Sequence, residues 1–205
     1  MGLLSSSAIA ILIIVVIFVL LYLGVKYFGI GTHVTEAQAL SLVEGDVQNA
    51  NPGVLINVTN VTPSQFPGSW HILMSVILNA TSPCPSYYIY SFDYPKYGFV
   101  YNIENTYTSN CIVYGLMQNK SYIIASYPVA VVRAYSFNAS KDFINKFGYQ
   151  NVTAAASFLS KARVLGKNYT NVWEVTYNAP NANYTEYIFL TQSGGNLIAN
   201  YSVSK

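Results

Sequence analysis

Charged side chains are scarce in this sequence: Asp, Glu, Lys and Arg make up 9% of its 205 residues, where soluble domains usually carry about a quarter. The 10 Lys and Arg are scattered. The cationic footprint that neutralises phosphates is therefore missing, which excludes nucleic acid as a partner. Acid–base catalysis needs positioned titratable groups, and the chain offers only 8 Asp and Glu and 2 His. No Gly-x-Ser-x-Gly or His-Glu-x-x-His motif occurs, and Ser193-Gly194-Gly195-Asn196 is a turn sequence with no Gly-Lys-Ser/Thr after it. Cysteine is limited to Cys84 and Cys111, neither of which has a second Cys or a His at zinc-ligand spacing. These absences predict a protein that is not an enzyme, with no metal and no cofactor.

What is abundant is apolar and polar-uncharged: 19 Tyr, a hydrophobic fraction of 52%, and many Asn, Ser and Thr. A surface kept soluble by hydroxyls, amides and glycans depends little on ionised carboxylates, so proton linkage does it little harm in acid. In composition the chain resembles the exported proteins of acid-loving archaea, with a viral or bacterial surface protein as the alternative.

From Met1 to Val25 no residue is charged, and Ala8 to Val25 is almost wholly apolar. At 1.5 Å per residue the uncharged run from Met1 to Val25 is long enough to cross a hydrocarbon layer of about 30 Å. Tyr22, Lys26 and Tyr27 follow with side chains suited to the membrane interface. The expectation is a retained transmembrane anchor over 1–28, a juxtamembrane linker over 29–34, and a single span. A cleaved signal peptide and a pilin-like filament core helix are the rival readings. The first lacks a basic n-region and a nearby small-x-small site, and the second lacks a short leader ending in a basic residue.

Lys26 by itself argues weakly for a cytoplasmic C-terminus. Against it stand nine Asn-x-Ser/Thr sequons, at Asn57, Asn60, Asn79, Asn119, Asn138, Asn151, Asn168, Asn183 and Asn200, where composition alone would give roughly three. The two cysteines agree with an oxidising compartment. A Cys84–Cys111 bridge is expected, with two separate buried thiols as the alternative. The domain is thus expected outside the cell, bearing N-linked glycans.

Thr35-Glu36-Ala37-Gln38 reads as a capping box opening a helix of about 15 residues, which Asn51-Pro52-Gly53 ends. Strands are expected at 54–62, 69–78, 87–94, 98–107, 112–117 and 122–137, rich in Val, Ile, Tyr and Thr. A second helical region is expected over 140–165, broken near Gly148, with 154–164 as its second part closing at Gly166. Strands at 171–178, 184–192 and 196–203 finish the chain. The fold class is α+β, mostly antiparallel, with subdomains at 35–138 and 139–205.

The order helix then meander occurs twice, with Ser69-Trp70-His71-Ile72-Leu73 and Val172-Trp173-Glu174-Val175-Thr176 in comparable places. Together with the opening Thr35-Glu36-Ala37-Gln38-Ala39-Leu40, this pattern resembles the PepSY type of small α+β module, over 35–101 and again over 141–201. The resemblance implies an exported binding or inhibitory module without chemistry of its own. It accounts for neither the cysteine loop nor the Tyr/Pro-rich segment 86–97.

Among single residues, His33 reads as a linker side chain and His71 as a satisfied sheet histidine, with a switch near pH 6 as the alternative. Asp93 reads as a turn former, and Glu174 and Glu186 as exposed strand residues able to pair across a hairpin. Tyr87, Tyr88, Tyr90, Tyr94 and Tyr97 cluster around Pro95 as a candidate aromatic patch for a protein or sugar partner, the alternative being that half of the tyrosines line the β core and the rest fill a low-charge surface. The function expected is a non-enzymatic interaction or accessory subunit of the cell envelope with a protein partner; the alternative is a subunit of a surface filament or envelope lattice.

Overall fold

The computed structural model describes residues 13–23, 34–114 and 122–205. The expected span over 1–28 therefore lies largely outside the described residues, as do Lys26, His33 and Asn119. Residues 13–23 are helical with exposed side chains. Among the described residues no helix is long and apolar enough to cross a membrane.

The first unit opens with helix α1 (Glu36–Ala50). Its start is the expected capping box: the Gln38 amide N–H donates to Thr35 Oγ1, and the Thr35 N–H donates to Gln38 Oε1. Five antiparallel strands follow in sequence order: β1 (Leu55–Pro63), β2 (Trp70–Leu78), β3 (Ser86–Tyr94), β4 (Tyr101–Ser109) and β5 (Ile112–Val113). Alternation along β2 sends Trp70, Ile72, Met74 and Val76 to the helix face, where Ala39, Val43 and Val47 of α1 meet them. Tyr90 and Phe92 of β3 complete this core.

Helices α2 (Tyr127–Tyr135) and α3 (Asn138–Phe147) and a 3₁₀ turn (Tyr149–Asn151) lead into the second sheet. That sheet runs β6 (Thr153–Val164), β7 (Lys167–Asn178), β8 (Tyr184–Thr191) and β9 (Leu197–Ser204), again as an antiparallel meander. Trp173, Val175, Tyr177, Ile188 and Leu190 turn toward α2 and α3. Val113 of β5 belongs to the same core and Tyr87 packs against it, so α2 lies between the two sheets. The β2–β3 loop ties the units together: the Ala154 N–H donates to the Thr81 carbonyl, and the Ser82 and Tyr149 hydroxyls are 2.8 Å apart.

Two expectations are corrected. The segment 122–137 is not a strand: its central part is α2. Val129, Val131 and Val132 argue locally for a strand, but all three are buried between the sheets, and Pro128 in the first turn suits a helix start. The segment 154–164 is not helical: it is β6, despite its three alanines. Leu165 and Gly166, both at positive φ, turn it directly into β7, and this primed-turn geometry makes a hairpin rather than a helix end.

Helices precede a meander in both units, although α2, which packs in the core of the second sheet, falls before the expected start of the second unit at 139; the two tryptophans occupy matching places. Trp70 of β2 donates its indole N–H to the Val34 carbonyl, just before α1, and Trp173 of β7 donates to the Ile124 carbonyl, just before α2, both at 2.9 Å. Each second strand thus pins the chain entering its unit's first helix. A buried indole N–H needs such a partner.

Candidate functional site

The cysteines form the expected bridge. Cys84, before β3, and Cys111, in the β4–β5 turn, are joined with Cα atoms 5.1 Å apart. Beside them the buried Thr108 hydroxyl donates to the Pro85 carbonyl at 2.8 Å. Disulfide and hydrogen bond together close one end of the first sheet, the end on which α2 packs.

A titratable pair lies at the opposite end. On the face away from α1, His71 of β2 stands directly across from Asp93 of β3. His71 Nδ1 lies 3.1 Å from Asp93 Oδ1, and the Ser64 hydroxyl, from the β1–β2 loop, donates to the same oxygen at 2.7 Å. Serine, histidine and carboxylate are all present, but in the wrong order for nucleophilic catalysis. The base must sit between nucleophile and carboxylate, whereas here serine and histidine both donate to Asp93. The trio is a clamp that fastens the β1–β2 loop to the end of β3. Sequence reasoning had Asp93 shaping a turn and missed Ser64, which stands 29 residues away from it.

Glu174 and Glu186 do not pair. Glu174 is opposite Phe189, while Glu186 is opposite Tyr177, whose side chain enters the core; the two carboxylates leave the sheet on different faces. Glu186 is only 6% exposed and accepts from the Ser202 hydroxyl at 2.5 Å. Among the described residues no group of three or more His, Cys, Asp or Glu is placed to hold a metal ion.

The five candidate tyrosines are divided three ways, because successive strand residues point to opposite faces. Tyr88, Tyr90 and Tyr94 lie on the α1 side, where Tyr90 stacks on Tyr101 with centroids 4.5 Å apart and Tyr94 on Phe99 at 5.3 Å. Burial, followed by the neighbouring Tyr101 and Tyr88, pushes the Tyr90 phenol up to about 12. Tyr87 lies on the other face, stacked on Tyr107 at 4.9 Å and packed toward α2; burial raises its phenol, as does Tyr107. Tyr97 projects from the β3–β4 turn and meets the edge of Phe66 at 5.2 Å.

A cavity of about 370 Å³ opens between β4–β5 and the start of α2. Tyr87, Asn105, Tyr107, Tyr114 and Tyr122 are among its walls, which among the described residues carry no carboxylate, imidazole or amine. Burial raises the phenols of Tyr87 and Tyr122. All eight sequon asparagines among the described residues are exposed, spread over both units.

No family model, no curated protein and no solved structure matches the chain.

Proposed function

We propose that the chain is a membrane-anchored, extracytoplasmic glycoprotein that acts as a non-enzymatic interaction or accessory subunit of the cell envelope. The observation that carries this reading is the Cys84–Cys111 disulfide, because such bridges persist in oxidising compartments and are rare where thiols are kept reduced. The exposed sequons and the apolar run from Ala8 to Val25 point the same way. The tandem helix-plus-meander architecture, with its tryptophan pins, is in keeping with a PepSY-like binding role. The Ser64–His71–Asp93 arrangement supports structure rather than chemistry.

Intact-mass and glycopeptide mass spectrometry on native, non-reduced protein from membranes tests the reading. The expected result is a retained N-terminus, sugars on several of the nine asparagines, and a mass two hydrogens below the reduced chain. Free thiols on an unglycosylated chain would put the domain in the cytoplasm and sink the proposal.

A further inference from the structure

Two loops at one end of the first sheet present aromatic side chains to solvent. The β3–β4 turn carries Lys96, Tyr97, Phe99 and Val100, with Tyr97 51%, Phe99 42% and Val100 66% exposed. The β1–β2 loop beside it carries Phe66, packed edge-on against Tyr97, with Lys96 Nζ 5.6 Å from the Phe66 ring centroid. Lys96 is the only charged residue in 64–69 or 95–100. The loops are held firmly: Tyr97 N–H donates to the Asp93 carbonyl, Val100 N–H to the Tyr97 carbonyl, and the Ser64–Asp93 bond joins one loop to the other.

This is also the end at which the chain enters the domain. Trp70, the first residue of β2, is paired with Pro63 and Tyr94 at the mouths of both loops, and its indole binds the Val34 carbonyl. The six residues from the end of the expected span at 28 to Val34 reach at most about 20 Å. The second unit attaches at the other end, through Thr81 and Ser82. No sequon lies in either loop, whereas Asn57, Asn60 and Asn79 decorate the rest of the same sheet.

We infer that the 64–69 and 95–100 loops dock into the lipid headgroup layer beside the anchor, with Tyr97, Phe99 and Val100 entering the interface and Lys96 meeting lipid phosphates. The inference rests on the membrane-anchored reading above. Amphipathic aromatics with an adjacent cation are the chemistry that interface takes, the Asp93 carboxylate at the base of the loops being engaged by Ser64 and His71, and a glycan on either loop would obstruct it. The first sheet then stands on the membrane with the second unit held away from it.

The test uses the full chain in vesicles of phosphatidylcholine with about a third phosphatidylglycerol, with Phe99→Trp, and with Phe158→Trp as the distal control at a site 44% exposed. Flotation reports anchoring, and brominated phosphatidylcholine quenches indoles within the bilayer. With native tryptophan emission subtracted, F99W emission is expected to shift to the blue and to be roughly halved by brominated lipid, while F158W is unaffected. Adding Lys96→Glu is expected to weaken the quenching. A chain that floats but leaves F99W unquenched overturns the docking and spares the anchor. A blue shift without quenching marks a protein partner or a second copy there and also overturns it. A chain that does not float removes the anchor and the docking together.

Discussion

Replacing both Cys84 and Cys111 by alanine removes the one covalent cross-link and leaves the rest of that end in place. The bridge closes a loop with a sequence separation of 27, so its loss returns about 3.5 kcal/mol of chain entropy to the unfolded state. The buried Thr108–Pro85 hydrogen bond and the β3–β4 pairing remain to keep the native geometry. With a urea slope of about 2 kcal/mol per M, the unfolding midpoint falls by roughly 1.7 M. Equilibrium unfolding of the full chain in detergent, followed by tryptophan fluorescence, reads this directly. Trp70 reports the cross-linked unit and Trp173 the second one. A midpoint shift below about 0.5 M would refute the loop-closure argument. So would a natural protein whose midpoint ignores reductant.

Three further outcomes follow from named contacts. Ser64→Ala, which removes the donor to Asp93 at a partly exposed site, should cost about 1 kcal/mol in the same unfolding assay; no change would mean the loop clamp is idle. Tyr177→Phe removes a hydroxyl that is fully buried and bonded to the Val131 carbonyl of α2, and a loss of about 1 kcal/mol is expected. A stabilised variant would show that bond to be unfavourable. Stability should also fall in alkali. Tyr90 is held neutral to about pH 12 in the fold against an ordinary value of 10, so the folded chain binds the extra proton, and stability declines as pH rises from 10 toward 12. Urea midpoints across that window, with phenolate absorbance recorded alongside, test this; a midpoint that stays flat through the window contradicts it.

Local signals in the sequence were sound where the interaction itself is local. The Thr35–Gln38 capping box spans one turn of chain, and the stop at Asn51-Pro52-Gly53 needs no distant partner. The strands of the first meander are similarly legible from their Val, Ile and Tyr content and the turn residues between them. The two misread segments failed for one reason. Propensity favoured strand at Val129–Val132 and helix at Ala154–Ala156, and burial between two sheets in one case and a primed turn at Leu165–Gly166 in the other overrode it. A signal was available for the tyrosines, since Tyr87 and Tyr88 are neighbours in a strand and must leave on opposite faces.

The sequence by itself determined the scarcity of charge, the apolar run, the sequons and the presence of two cysteines in one chain, because composition and short motifs carry these without any contact. It also determined the two tryptophans in comparable places. Only the tertiary structure decided that each indole pins the entrance to a helix, that Ser64 and His71 converge on Asp93 as a clamp, and that Phe66 and Tyr97 meet beside Val34. Those groups are brought together by hairpin register and sheet pairing over long stretches of chain, and no local pattern of residues encodes which of them will touch.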